Sequence, residues 1–246
     1  MKRSSIYTAI IGMSIALIAP QSQEIQPEVA SDDTPSRNNV TECMVATQDV
    51  TFTHALNNAD KYAKVLDNGT LEFKCPEGLD FFIDPNEGKL TNTTLPALLT
   101  KVDNTKPFTL TAKVTPEFTP EGLYNAADLL VYANDSLWQK LCFEQDEYGM
   151  HRIVSVRTKG TSDDNNHDKL DVPSVFLKIS SDTHTIASYY SIDNNEWHMV
   201  RLYENYYPDS LLVGVSSQCP KRGSCTSLIE DITLNVDNVK DFRMGK

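Results

Sequence analysis

The chain has 246 residues, with 34 Asp or Glu against 22 Lys or Arg and a net charge of −12. A surface of that sign repels nucleic acid and anionic membranes, and the basic residues form no single cluster, which argues against phosphate-backbone binding. Sugars, small neutral ligands and protein surfaces remain as partners, and this length suits one large β-domain with a substantial core.

Lys2 and Arg3 precede a mostly apolar run from Ile6 to Ala19, followed by Pro20 and polar sequence. This is the pattern of a signal peptide, so residues 1–22 are expected to direct export, leaving a secreted or periplasmic chain of charge about −14. The run is shorter than the roughly 20 apolar residues a membrane span needs, and no second run follows, so no membrane span is expected in the mature chain. Residues 23–46 are polar, Pro-containing and aperiodic, which reads as a flexible linker, with the folded domain over 47–240.

Short segments rich in Val, Ile, Thr, Phe and Tyr then alternate with turn residues, an all-β pattern. In order, the spacing predicts strands at Thr70 to Lys74 after the Asn68-Gly69 turn, Leu79 to Ile83, Phe108 to Thr115, Asp128 to Ala133, Trp138 to Gln145 and Arg152 to Thr158. Further strands are predicted at Ser174 to Ser180, Ile186 to Ser191, Glu196 to Tyr203, Leu211 to Ser216 and Leu228 to Asn235. Leu95 to Lys101 is compatible with a helix or a strand. So many short strands joined by hairpin-sized turns suit two packed antiparallel sheets, with a barrel as the competitor.

Five cysteines in an exported chain point to disulfides. Cys219 and Cys225 flank the turn-forming PKRGS segment and are the first expected bridge, Cys43 with Cys75 a second, and Cys142 a buried free thiol.

Several unlike residues falling in order carry a family resemblance: Pro107-Phe108-Thr109-Leu110, Leu129-Leu130-Val131-Tyr132, Trp138-Gln139-Lys140 with Glu144, Ser155-Val156-Arg157-Thr158 with Ser162-Asp163, and Tyr190-Ser191-Ile192-Asp193 with Trp197, Arg201 and Val213-Gly214-Val215. With these the stretch from Pro107 to Leu234 resembles the regulation-of-enolase family, a domain-of-unknown-function family. The resemblance implies an antiparallel two-sheet jelly-roll β-sandwich of the concanavalin A-like type, a fold that hosts binding and hydrolysis alike. Where members often carry Y-D-Q-A-G-L, this chain reads Tyr124-Asn125-Ala126-Ala127-Asp128-Leu129, and a ligand contact made by the family's acid and amide there would be lost.

Strand alternation puts Trp138, Lys140, Cys142 and Glu144 on one face and Gln139, Leu141 and Phe143 on the other, which reads as the core side. Trp138 is thereby expected to stack on a sugar ring while Lys140 and Glu144 bond hydroxyls; the competing reading is a packed Trp over a salt bridge. Ser155 and Arg157 share a face of the next strand, and a hairpin around Tyr148-Gly149 is expected to set Arg157 beside Glu144, with Trp197 and Arg201 as neighbours. The polar stretch Thr161 to Asp168 reads as a loop whose Asp163, Asp164 and Asp168 supply oxygen ligands of the kind calcium takes, against the plainer reading of a solvated acidic loop; no other cofactor is implied. Glucanases of this fold use E-x-D-x-E or E-x-D-x-x-E; Glu144 and Asp146 fill two places but Tyr148 and Gly149 fill the last, so no catalytic residue is assigned. The expected function is a secreted, non-catalytic, lectin-like carbohydrate-binding domain, with a glycoside hydrolase or an adhesion domain for an extracellular protein as alternatives.

Overall fold

A computed structural model describes residues 39–246. The strands are β1 (Val40–Ala46), β2 (Thr51–Leu56), β3 (Ala63–Val65), β4 (Leu71–Pro76), β5 (Phe81–Phe82), β6 (Asn92–Thr93), β7 (Ala97–Asp103), β8 (Phe108–Pro116) and β9 (Ala126–Asn134). They continue as β10 (Leu137–Gln145), β11 (His151–Lys159), β12 (Thr161–Lys169), β13 (Val175–Ser181), β14 (Thr185–Ser191), β15 (His198–Glu204), β16 (Ser210–Gln218) and β17 (Ser224–Asn235).

Two antiparallel sheets pack face to face: an eight-stranded sheet in the order β1-β2-β7-β16-β9-β10-β11-β12 and a seven-stranded sheet in the order β15-β14-β13-β8-β17-β4-β3. The alternation of each strand sends one set of side chains between them, including Leu129, Val131, Leu141, Phe143 and Ile153 from one sheet and Leu110, Leu177, Ile179 and Ile229 from the other. The antiparallel two-sheet sandwich is thus as expected, and no barrel forms. No helix among the described residues is long and apolar enough to cross a membrane.

Both outer faces are also covered in part. The small β5-β6 hairpin lays Phe81 on the outer face of the eight-stranded sheet, against Tyr132 and Trp138. The C-terminal residues cover the outer face of the other, where Val239 and Phe242 pack with Tyr189 and Trp197. This explains why β9 is buried along its whole length and β10 at every residue but the first. Gly214 in β16 lets two strands approach: a Cβ there would lie 1.9 Å from the Leu98 carbonyl oxygen of β7.

Several expectations are corrected. The signal peptide of residues 1–22 and most of the linker lie outside the described residues, but Val40–Ala46 of that linker is the edge strand β1, paired with β2. Of Leu95 to Lys101, the residues from Ala97 onward form a strand, β7, and none a helix. The polar Thr161 to Asp168 stretch is not a loop but β12, the opposite edge of the sheet, whose run of charged and polar side chains discourages further strand addition.

All five cysteines are free thiols, so the expected Cys219–Cys225 and Cys43–Cys75 bridges are not formed. Cys219 follows β16 and its thiol donates to the Arg222 carbonyl, whereas Cys225 lies in β17 of the other sheet, directly opposite Cys75. The PKRGS turn therefore carries the chain from one sheet to the other instead of closing a loop within one. Cys142 is buried and free, as expected.

Candidate functional site

The strand register arranges the outer face of the eight-stranded sheet into rows. One row runs Gly214, Leu130, Lys140, Val156, Asp164; the next runs Ser216, Asp128, Cys142, Val154, Asn166; a third sets Gln218 and Glu144 on either side of Ala126. Above these rows, between the sheet and the segment around the β5-β6 hairpin, lies a cleft of about 560 Å³. Lys140, Glu144, Val154, Val156, Asp164 and Gln218 line it from the sheet, Asp80, Phe82, Lys89 and Leu90 from the hairpin segment, and Tyr124 from the chain entering β9.

Lys140 organises the floor. Its ammonium, 3% exposed, donates to Asp80 Oδ1 at 3.0 Å and to Gln218 Oε1 at 2.7 Å. Gln218 is held on its other side, its Nε2 donating to Glu144 Oε2 at 3.1 Å and to the Tyr124 carbonyl at 2.8 Å. Burial alone would depress the Lys140 ammonium, but Asp80 above all, with Asp128 and Glu144, holds it charged well above the ordinary lysine range.

The carboxyls move the other way. Burial pushes Glu144 well above the usual carboxylate range, with Lys140 only partly opposing it. Asp128 beneath the floor is pushed up to about 6 by burial, again against Lys140, while Ser216 Oγ donates to it at 2.9 Å. Asp164 is also raised, chiefly by desolvation. The floor thus offers one fixed cation, an amide, and carboxyls whose protonated forms burial favours.

Lys140 and Glu144 stand together as expected, but the rest of the expected constellation divides. Trp138 is on the same face yet fully buried, its ring stacked on Phe81 with centroids 4.4 Å apart and planes 7° apart, and its Nε1 donating to the Asp135 carbonyl. No face of it is open to a sugar. Arg157 is not beside Glu144: β10 and β11 pair Glu144 with Arg152 and Gln139 with Arg157.

Ser155 and Arg157 point instead toward the other sheet, where Arg201 Nε donates to Ser155 Oγ at 3.0 Å and both arginines pair with Asp163, at 3.0 and 3.3 Å. Arg157 also lies over the Tyr203 ring. This cluster links β11 and β12 to β15 across the edge of the sandwich. Trp197 is on the opposite outer surface of the molecule, under the Lys178 ammonium at 3.6 Å.

The three acids read as calcium ligands also separate: Asp163 binds the arginines, Asp164 faces the cleft, and Asp168 accepts from Tyr190 Oη at 2.6 Å. Among the described residues, no group of three or more His, Cys, Asp or Glu side chains comes together to hold a metal.

Asp80, Tyr124, Asp128 and Gln218 were missed as site residues. Asp128 carried a signal, being the one acid within the otherwise uncharged strand Ala126–Asn134. Asp80 and Gln218 reach Lys140 from 60 and 78 residues away, which no local pattern reveals.

No curated protein matches the chain. Among solved structures, it is similar to a functionally unknown protein from Saccharomyces cerevisiae, 24% identical with a TM-score of 0.67, over 75% of this chain and 96% of that one. It is also similar to the GH43 protein BlXynB from Bacillus licheniformis (15% identity, TM-score 0.53) and to a xylan beta-1,4-xylosidase from Bacillus halodurans (13%, 0.52), covering 82% and 84% of this chain. The chain spans only 40% and 41% of those two longer proteins. These likenesses establish the concanavalin A-like sandwich as a fold and nothing of its chemistry. The family model described as "Protein of unknown function (DUF1349)" matches residues 56–236, and the chain belongs to that family.

Proposed function

We propose that the chain is an exported, non-catalytic carbohydrate-binding domain that takes a glycan in the cleft between the eight-stranded sheet and the β5-β6 hairpin. The observation that carries this reading is the cleft itself: Lys140, Glu144, Asp164 and Gln218 at its floor, with the rings of Tyr124 and Phe82 at its walls. A sugar needs hydroxyl donors and acceptors set beside aromatic faces, and this cleft supplies both. Within its family the chain is proposed to fall in the regulation-of-enolase group, on the ordered Trp138, Lys140, Glu144 and Tyr190, Asp193, Trp197, Arg201 residues.

The non-catalytic part is supported by the second carboxylate of the strand pattern. Asp146 turns away into the β10-β11 hairpin, where Arg152 pairs with it at 2.8 Å and the backbone amides of Tyr148 and Met150 donate to it. These bonds outweigh its burial and hold it below the ordinary range, which suits a structural anchor and leaves Glu144 without a strand partner for acid and nucleophile.

A glycan array probed with the full chain, wild type against Tyr124→Ala and Asp164→Asn, tests the proposal. Specific binding weakened about tenfold or more by either change supports the cleft, tenfold corresponding to roughly 1.4 kcal/mol. Binding untouched by both, or no binding at all, removes it. New reducing ends released by wild type but not by Glu144→Gln would make the domain a hydrolase instead.

A further inference from the structure

The sequence carries four Asn-x-Ser/Thr sequons, at Asn39, Asn68, Asn92 and Asn134. The fold separates them into two kinds. Asn39 is exposed just before the edge strand β1, and Asn68 is exposed at the tip of the β3-β4 hairpin. In that turn the Asn68 Oδ1 accepts the Thr70 amide at 3.1 Å and Gly69 takes the left-handed φ of 86°, so the turn uses the side-chain oxygen and makes no demand on Nδ2.

The other two are occupied by the fold. Asn134, the last residue of β9, is held by burial, being 6% exposed, with its Oδ1 accepting from both the amide and the hydroxyl of Ser136. Asn92 lines the cleft, its Nδ2 donating to the Gly78 carbonyl at 3.1 Å and its Oδ1 accepting the Thr94 amide at 3.0 Å.

We infer that Asn39 and Asn68 carry N-linked glycans in the exported chain, and that Asn92 and Asn134 stay bare. The inference rests on the export reading and takes as co-substrate an oligosaccharide linked to a polyprenyl pyrophosphate. The asparagine Nδ2 forms a bond to the sugar C1, the C1–O bond to pyrophosphate breaks, the lipid pyrophosphate leaves, and the amide gives up one proton. Transfer can precede folding, so the folded state acts as the filter. A glycan at Asn39 or Asn68 projects into solvent, one at Asn134 requires space the packed sheet lacks, and one at Asn92 fills the cleft.

The test is expression of the full chain through a eukaryotic secretory pathway, followed by peptide-N-glycosidase digestion in heavy-oxygen water and peptide mapping. The expected result is labelled aspartate at positions 39 and 68 and none at 92 or 134, with Asn39→Gln and Asn68→Asp each removing one step of gel mobility. Asn68→Asp keeps the oxygen that accepts the Thr70 amide, so a folding defect does not obscure the result. A secreted chain with either expected site bare, or with a glycan at Asn92 or Asn134, overturns the inference while export stands. A chain that stays in the cell unglycosylated, with residues 1–22 attached, overturns both.

Discussion

Replacing Asp128 by Asn should stabilise the protein at neutral pH and leave it nearly unchanged near pH 4. Asp128 is fully buried on the cleft side of β9, between Ser216 and Cys142, and burial moves its titration from the ordinary 3.8 to about 6. A carboxyl whose folded value lies above its unfolded one binds more protons in the native state. Stability therefore falls as pH rises from about 4 through 6, and the loss is complete above that. The displacement corresponds to roughly 3 kcal/mol. Asn keeps an oxygen to accept the Ser216 hydroxyl and carries no charge, so it escapes the loss. Urea unfolding of both proteins between pH 4 and 8 should show the Asn variant gaining on wild type by about this amount across the window. A difference that does not change with pH, or that favours wild type at pH 8, would refute the assignment of a strained buried carboxyl beneath the cleft.

Phe81→Ala should cost about 3–5 kcal/mol and make Trp138 accessible to a fluorescence quencher, because the hairpin ring is the cover on that indole; unchanged quenching would mean the cover lies elsewhere. Gly214→Ala forces a methyl onto the Leu98 carbonyl and should destabilise by about 3 kcal/mol or prevent soluble expression, so a variant that melts with wild type contradicts the β7-β16 spacing. Denatured without reductant, the protein should titrate as five free thiols, and in the native state the half-buried Cys43 alone should react readily; three thiols on denaturation would restore a disulfide.

The sandwich was legible because its strands are short, apolar on one or both faces and punctuated by turn residues, as in Phe108–Pro116 and Leu137–Gln145. The edge strand β12 was not, since TSDDNNHDK has no alternation to read: its side chains face solvent or isolated partners, and only backbone pairing to β11 makes it a strand. Within-strand alternation set Lys140 and Glu144 together and set Ser155 with Arg157, both correctly. What alternation leaves open is the phase of one strand against the next, and the observed register turns Arg157 toward the seven-stranded sheet. Trp138 illustrates a different limit. Its face was readable from its own strand, but its cover comes from Phe81, which belongs to a hairpin nearly sixty residues earlier that packs by tertiary contact alone.

The most direct test of the cleft is amide chemical-shift mapping of the full chain with the strongest glycan found on the array. Perturbations are expected to centre on Lys140, Glu144, Asp164, Gln218 and Tyr124. Shifts confined to the Arg157–Asp163–Arg201 edge, or to the surface around Trp197 and Lys178, would contradict this.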